Sequence, residues 1–198
     1  MRVLVACEFS GVVRRAFWKA GHVSWSCDLL PAEDGSSNHY QRDIFSVIKD
    51  CGPWDLMIAH PPCTHLAVSG AAHFSRKIAS GEQGRALDFV QRLFDAPIKK
   101  KCIENPVSII STKIKKPTQI IQPWMFGHPE QKTTCLWLEG LPPLEETDNV
   151  REEMLGLPKN KRERLHYLPP GPDRWKERSR TFQGIANAMA NQWGNKNG

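Results

Sequence analysis

Two short runs carry the residues in this sequence best suited to covalent chemistry. The first is Pro61-Pro62-Cys63 and the second is Glu104-Asn105-Pro106. A cysteine attacks carbon centres as its thiolate, so it needs a fixed backbone and a neighbourhood that favours ionisation. Two prolines ahead of Cys63 supply the fixed backbone and keep the preceding residue extended. Alone, the tripeptide reads first as a strand-ending turn with an idle thiol. Glu104 closes a later apolar run, and a carboxyl held beside a cleft can hydrogen-bond or protonate a ring nitrogen. Its bland alternative is a turn residue with a solvated carboxylate.

A third run, Glu8-Phe9-Ser10-Gly11, follows the first apolar stretch. A glycine there allows close approach of backbone to a ligand, and the next helix offers N-terminal amides. Asp28 ends the second apolar stretch, where an acidic side chain can hold ribose hydroxyls. The set is not a full glycine-rich fingerprint and is also compatible with an ordinary strand–helix turn. His60 and His65 flank Cys63, but no Cys-x-x-Cys or His-x3-His spacing accompanies them, and no metal is expected.

The elements that must position these residues are short buried strands alternating with helices. Strands are expected over 1–7, 22–27, 55–59 and 101–103, the last stopped by Glu104-Asn105-Pro106, with further candidates over 119–124 and 134–138. Helices are expected over 12–20, 84–94 and 179–193, and Asp43-Ile44-Phe45 opens a short segment. That alternation implies an α/β, doubly wound, mostly parallel sheet. In such sheets ligands bind beyond the carboxyl ends of the strands, and all three runs fall at that edge. The stretch 139–172 is broken by six prolines and reads as an excursion with one short helix inside a single domain spanning 1–198.

Composition sets limits on partners. The chain has 198 residues, 40% of them hydrophobic, which is enough for one packed core. Its net charge of +6 is compatible with a polyanionic partner. The basic runs 99–101, 113–116 and 159–164 are read as solvated surface, any one of them a candidate for a phosphate. No apolar run is long enough to span a membrane. The six cysteines are scattered, several within apolar runs, which suits free thiols and a cytoplasmic location.

Taken together, the motifs resemble the cytosine 5-methyltransferase family of DNA enzymes. That family carries Pro-Pro-Cys after one strand and Glu-Asn after a later one, matched here by Pro61-Pro62-Cys63 and Glu104-Asn105. Its cofactor loop is matched by Phe9-Ser10-Gly11, its ribose-holding acid by Asp28, and its adenine-side pair by Asp43-Ile44. Its late helix is matched loosely by Gly184 to Met189. The order agrees over residues 1–140 and again near the C-terminus.

The resemblance implies a Rossmann-like methyltransferase fold, S-adenosylmethionine as cofactor, and cytosine in DNA as substrate. Cys63, Glu104 and Asn105 would be catalytic. Glu8, Phe9, Ser10, Gly11, Asp28, Leu29, Asp43, Ile44, Pro61, Asn187 and Ala188 would form the cofactor site. His60, His65, Gln131 and Lys132 would face the substrate. Three departures stand out. His60 occupies a position that is usually Gly. Gln131-Lys132-Thr133-Thr134 stands where the family has Gln-x-Arg-x-Arg. The 139–172 excursion replaces a target-recognition domain, as in compact, phage-type relatives, whose products act in the host cytoplasm. The same chemistry on a free pyrimidine nucleotide or RNA, and a silent module that only binds nucleic acid or protein, are the alternatives.

Overall fold

The computed structural model describes residues 1–194. Its strands are β1 (Arg2–Ala6), β2 (Val23–Asp28), β3 (His39–Gln41), β4 (Leu56–Ala59), β5 (Lys100–Pro106), β6 (Gln119–Ile121) and β7 (Thr134–Glu139). They form one seven-stranded sheet in the order β3-β2-β1-β4-β5-β7-β6. The first five pair in parallel, while β7 runs antiparallel to both β5 and β6. This is the doubly wound, mostly parallel α/β sheet that the alternation of apolar runs implies.

Period-two burial explains why the central strands have little polar character. Val3 and Val5 of β1, with Leu56 and Ile58 of β4, pack into a core on one face. Leu4, Ala6, Met57 and Ala59 alternate with them into a second core on the other face. The first core is covered by α1 (Val12–Lys19) and α9 (Gln183–Trp193), the second by α2 (Ile44–Cys51) and α4 (Glu82–Phe94). On α1, the residues Val12, Val13, Ala16 and Phe17 are buried, a spacing that puts one helical stripe inward.

The chain leaves β1 toward β2 and β3 on one side, then returns to place β4 and β5 on the other. The order of strands therefore reverses between β1 and β4. That reversal is the switch point at whose carboxyl edge parallel α/β sheets bind ligands in a crevice. Residues 7–11 and 60–63 follow β1 and β4 at that edge.

Several boundaries differ from the sequence expectation. β5 does not stop at Glu104 but continues through Pro106, because β7 pairs Leu136, Cys135 and Thr134 with Glu104, Asn105 and Pro106. β6 ends at Ile121, and Pro123–Met125 forms a 3-10 turn instead of more strand. The excursion holds two short helices rather than one, α6 (Arg151–Gly156) and α7 (Lys159–Arg162). A further helix, α8 (Arg174–Ser179), stands apart from α9, because Arg180 and Phe182 are extended and break the expected single helix. The edge strand β3, a 3-10 turn over Val68–His73, and the helices α3 (Phe74–Ala79) and α5 (Ile110–Lys113) went unsignalled.

Lys101 is also not solvated surface. It is 6% exposed, and its Nζ donates to the carbonyls of Phe94 and Ala96 beside Glu139. All six cysteines are free thiols, with Cys27, Cys102 and Cys135 buried and Cys63 exposed. Among the described residues, no helix is long and apolar enough to cross a membrane.

Candidate active site

Cys63 is held in a turn that two neighbouring segments brace. Its carbonyl accepts from the amides of Leu66 (3.0 Å) and Ala67 (2.9 Å), closing the turn after the two prolines. Lys77 of α3 donates to the carbonyl of Thr64, and Gln83 of α4 donates to that of His65 at 3.4 Å. The loop after β5 is stitched to the same segment. Ile109 N donates to Leu66 O, and Val68 N to Val107 O, both at 3.0 Å.

Asn105 makes the decisive link. Its Nδ2 donates to the carbonyl of Pro61 at 2.8 Å, and the residue is 1% exposed. The end of β5 is thereby fastened to the turn that presents Cys63. An Asn105→Ala variant leaves the buried Pro61 carbonyl without its donor. We expect it to cost about 1–3 kcal/mol of stability, read from urea denaturation. An unchanged midpoint and slope would show that water replaces the amide fully.

Glu104 and His60 form a pair beside that link. His60 Nδ1 lies 3.2 Å from Glu104 Oε2, with the two side chains 9% and 17% exposed. Burial pushes the Glu104 carboxyl up, but the His60 hydrogen bond, the His60 charge and Lys132 outweigh it. Its pKa therefore lies below the usual carboxylate range. A carboxylate only accepts, so His60 Nδ1–H is the donor. His60 Nε2 and Asn105 Oδ1 are then both buried with no protein partner among the described residues. They are polar atoms available to something bound in the cleft.

Cys63 faces three charges from three elements. Loss of water around the sulfur raises its thiol above the ordinary value, and Glu104 raises it further. Lys132 and Arg178 act in the opposite sense. The free thiol therefore predominates at neutral pH, with two cations standing ready to favour its ionised form.

The β1 loop is built differently from the sequence expectation. Gly11 sits at φ +68°, a left-handed conformation that opens α1 and that glycine adopts without strain. The α1 amides, however, are already occupied. Val13 N and Arg14 N donate to the Glu8 carboxylate at 2.7 and 3.3 Å, and Val12 N donates to Ser10 Oγ at 3.5 Å. Glu8 is 5% exposed, and burial raises its pKa against the pull of His60 and those amides. Glu8 and Ser10 thus serve the helix, and a ligand has the Phe9 side, Asp28 and the crevice wall to use. Asp28 Oδ1 accepts from Leu30 N at 3.0 Å, and Leu29 beside it is 75% exposed. An acid and an exposed aliphatic side chain at the end of β2 fit a ribose and an adenine face.

The remaining expected site residues are more dispersed. Asp43 caps α2 by accepting from Ser46 N at 3.0 Å, and Ile44 belongs to the second core. His65 turns toward α4, with its Nδ1 3.9 Å from Glu82 Oε2. Gln131 is exposed, and its amide donates to Arg162 O at 2.6 Å, tying the strand to the excursion. Asn187 accepts from Gln183 on the exposed face of α9, while Ala188 is core. On the same helix, a Cβ at Gly184 would fall 1.8 Å from the Phe126 carbonyl oxygen, so only glycine fits.

Sequence reasoning missed the contribution of the segment 174–180. Trp175 of α8 lies on Phe9, with ring centroids 5.5 Å apart. Arg180 pairs through both guanidinium nitrogens with Glu33, at 2.8 and 2.9 Å. Arg178 faces Cys63. Only the charge and the aromatic at 174–180 could have drawn notice, and neither shows periodicity. Among the described residues, no group of three or more His, Cys, Asp or Glu side chains is placed to hold a metal ion.

No protein-family model and no curated protein matches the chain. Among solved structures, it is similar to a prophage-encoded E. coli protein described as a DNA modification methyltransferase. The two share 16% identity with a TM-score of 0.47, over 80% of this chain and 56% of the other. The chain thus spans little more than half the length of that structure.

Proposed function

We propose that this protein is an S-adenosylmethionine-dependent methyltransferase that acts on carbon 5 of cytosine in DNA, with Cys63 as the covalent nucleophile. One observation carries the reading. The Asn105–Pro61 hydrogen bond fastens the end of β5 to the Cys63 turn, and the Glu104 carboxylate beside that link acts electrostatically on the thiol. The link supports the reading because the resemblance implies that these two runs act together.

The cofactor fits the residues present. Asp28 has a carboxylate oxygen to spare for ribose, exposed Leu29 offers an apolar face, and Phe9 and Gly11 border the crevice. When bound there, S-adenosylmethionine supplies an electrophilic methyl group to carbon 5 of the base.

The chain's own residues do the rest. The Cys63 thiol gives up its proton to solvent, and a bond forms between Sγ and carbon 6 of the ring. That addition breaks aromaticity and makes carbon 5 enamine-like. Negative charge develops toward ring nitrogen 3, which takes a proton from solvent, and the Glu104 carboxylate accepts a hydrogen bond from that N–H. His60 donates into Glu104 from behind and fixes which oxygen faces the base. After methylation, water takes the proton from carbon 5, the Sγ–carbon 6 bond breaks with its electron pair on sulfur, nitrogen 3 returns its proton to solvent, and the thiolate is reprotonated from solvent to the free thiol. A target in duplex DNA must first leave the stack, at a cost of a few kcal/mol.

The test is an oligonucleotide carrying 5-fluorocytosine, incubated with protein and cofactor. Fluorine at carbon 5 cannot leave as a proton, so the Sγ–carbon 6 bond should persist as a covalent complex. The trapped fraction should form faster as pH rises from 7 toward 9, since the thiol pKa is raised. Absence of any adduct on DNA sinks the proposal. An adduct with the free fluorinated nucleotide alone would move the activity to that substrate.

A further inference from the structure

Between the excursion and α9 runs a segment, 174–180, that is joined to two loops at the carboxyl edge of the sheet. Trp175 packs on Phe9 of the loop after β1, with ring centroids 5.5 Å apart. Arg180 forks onto Glu33 of the loop after β2, through both guanidinium nitrogens, at 2.8 and 2.9 Å. Those two loops are fastened to each other, because Glu33 N donates to the Phe9 carbonyl at 2.9 Å. Ahead of β7, Lys132 Nζ donates to the carbonyl of Arg178 at 3.0 Å. The segment is therefore a strap, pinned at three points by contacts with residues far away in sequence.

We propose that Trp175 and Arg180 are positioning residues of the cofactor site: the strap holds the loops after β1 and β2 in the arrangement that S-adenosylmethionine binds. The inference rests on the reading of Phe9, Asp28 and Leu29 as that site. The loop after β2 cannot be fixed by apolar burial, since Leu29 and Leu30 are both exposed. Polar ties place it instead. From β3, His39 Nε2 reaches the Leu30 carbonyl at 2.9 Å, and Gln41 Nε2 donates to the Leu29 carbonyl at 3.2 Å. Its far end is held at Asp34, by Arg14 and Arg15 of α1, and at Glu33, by the strap. Trp175 is half-exposed, and the ring it covers is Phe9. A guanidinium fork on a carboxylate sets direction as well as distance, so it can fix a loop as a single ion contact cannot. Loops ordered in advance spare a ligand the cost of ordering them, and that saving appears as affinity. Linkage also runs the other way. If the docked strap favours the cofactor, the bound cofactor must favour the docked strap by the same factor.

The test needs no methyl transfer, because S-adenosylhomocysteine can be titrated calorimetrically. Trp175→Ala and Arg180→Gln should each weaken its binding by about threefold to tenfold, the worth of ordering lost at one or two side chains. Glu33→Gln should match Arg180→Gln, and the double variant should lose no more than either, since both act through one contact. Arg180→Lys keeps the charge but not the fork and should recover only part of the affinity. The strap carries Arg174, Lys176, Arg178 and Arg180, all targets for trypsin. S-adenosylhomocysteine should slow cleavage there in the wild-type protein. Iodoacetamide, a neutral alkylating reagent, should modify the exposed Cys63 and spare the buried Cys27, Cys102 and Cys135, which certifies the fold of each variant by mass spectrometry. Wild-type affinity in both glutamine variants, or strap cleavage indifferent to the ligand, overturns the inference and leaves the cofactor site standing. If Trp175→Ala fails to fold, the two glutamine variants decide. A wild-type protein that binds no S-adenosylhomocysteine sinks the cofactor reading, and the inference with it.

Discussion

Cys63→Ser is expected to reduce methyl incorporation by at least about 10³-fold, on the scale seen when the nucleophile of a covalent mechanism is lost. Oxygen is close to isosteric with sulfur, so the turn should survive. A serine hydroxyl ionises far less readily than a thiol. Cys63 is exposed, and its carbonyl rather than its side chain closes the turn on Leu66 and Ala67. Stability should therefore stay within about 0.5 kcal/mol, as for other surface substitutions. Cofactor affinity should also persist, because Phe9, Gly11, Asp28 and Leu29 lie on the β1 and β2 loops. Labelled-methyl transfer and calorimetric titration of S-adenosylhomocysteine would separate the two effects. Near-normal turnover in the serine variant would remove Cys63 from the mechanism. Lost cofactor binding would show that the turn has collapsed.

The strand ends at the β1/β4 switch are legible in the sequence, for a local reason. An apolar run rich in Val and Ile, ended by a proline or a charged residue, marks both a buried strand and the point where it leaves the sheet. Residues 6–11 and 59–63 satisfy that description, and the fold places both at the switch between β1 and β4. The misreadings share a cause, which is pairing between distant segments. Nothing near Glu104 announces that β7 will extend β5 through Pro106. Lys101 sits in a basic run, yet the carbonyls of Phe94 and Ala96 and the Glu139 carboxylate draw it inward. The strap is the clearest case, because Trp175–Phe9 and Arg180–Glu33 join the two ends of the chain. Asp43 is different. An acid directly before Ile44-Phe45 is a helix N-cap signal in the sequence itself, and capping is what its side chain does.

Glu104→Gln should separate the two roles of that side chain by moving them in opposite directions. As a carboxylate, Glu104 opposes ionisation of Cys63. Removing its charge should therefore lower the midpoint of Cys63 alkylation and speed the reaction with iodoacetamide at pH 7. The same change removes the group that offsets charge at ring nitrogen 3, and kcat should fall by about 10²–10⁴-fold, the usual worth of a positioned acid–base group. The nucleophile becomes more reactive while the enzyme becomes slower. A purely structural carboxylate predicts no such divergence. Glutamine can still accept from His60 through its amide oxygen, so the 3.2 Å contact and the packing around it are largely kept. The acid side of the stability profile offers a second reading. A carboxyl whose folded-state pKa is depressed contributes stability above its unfolded pKa and loses it as pH falls through the folded one. Glu104→Gln should therefore lower stability at neutral pH and weaken its decline toward acid. If kcat is unchanged while alkylation quickens, Glu104 governs the thiol alone, and the proton at ring nitrogen 3 must be held by another group in the crevice.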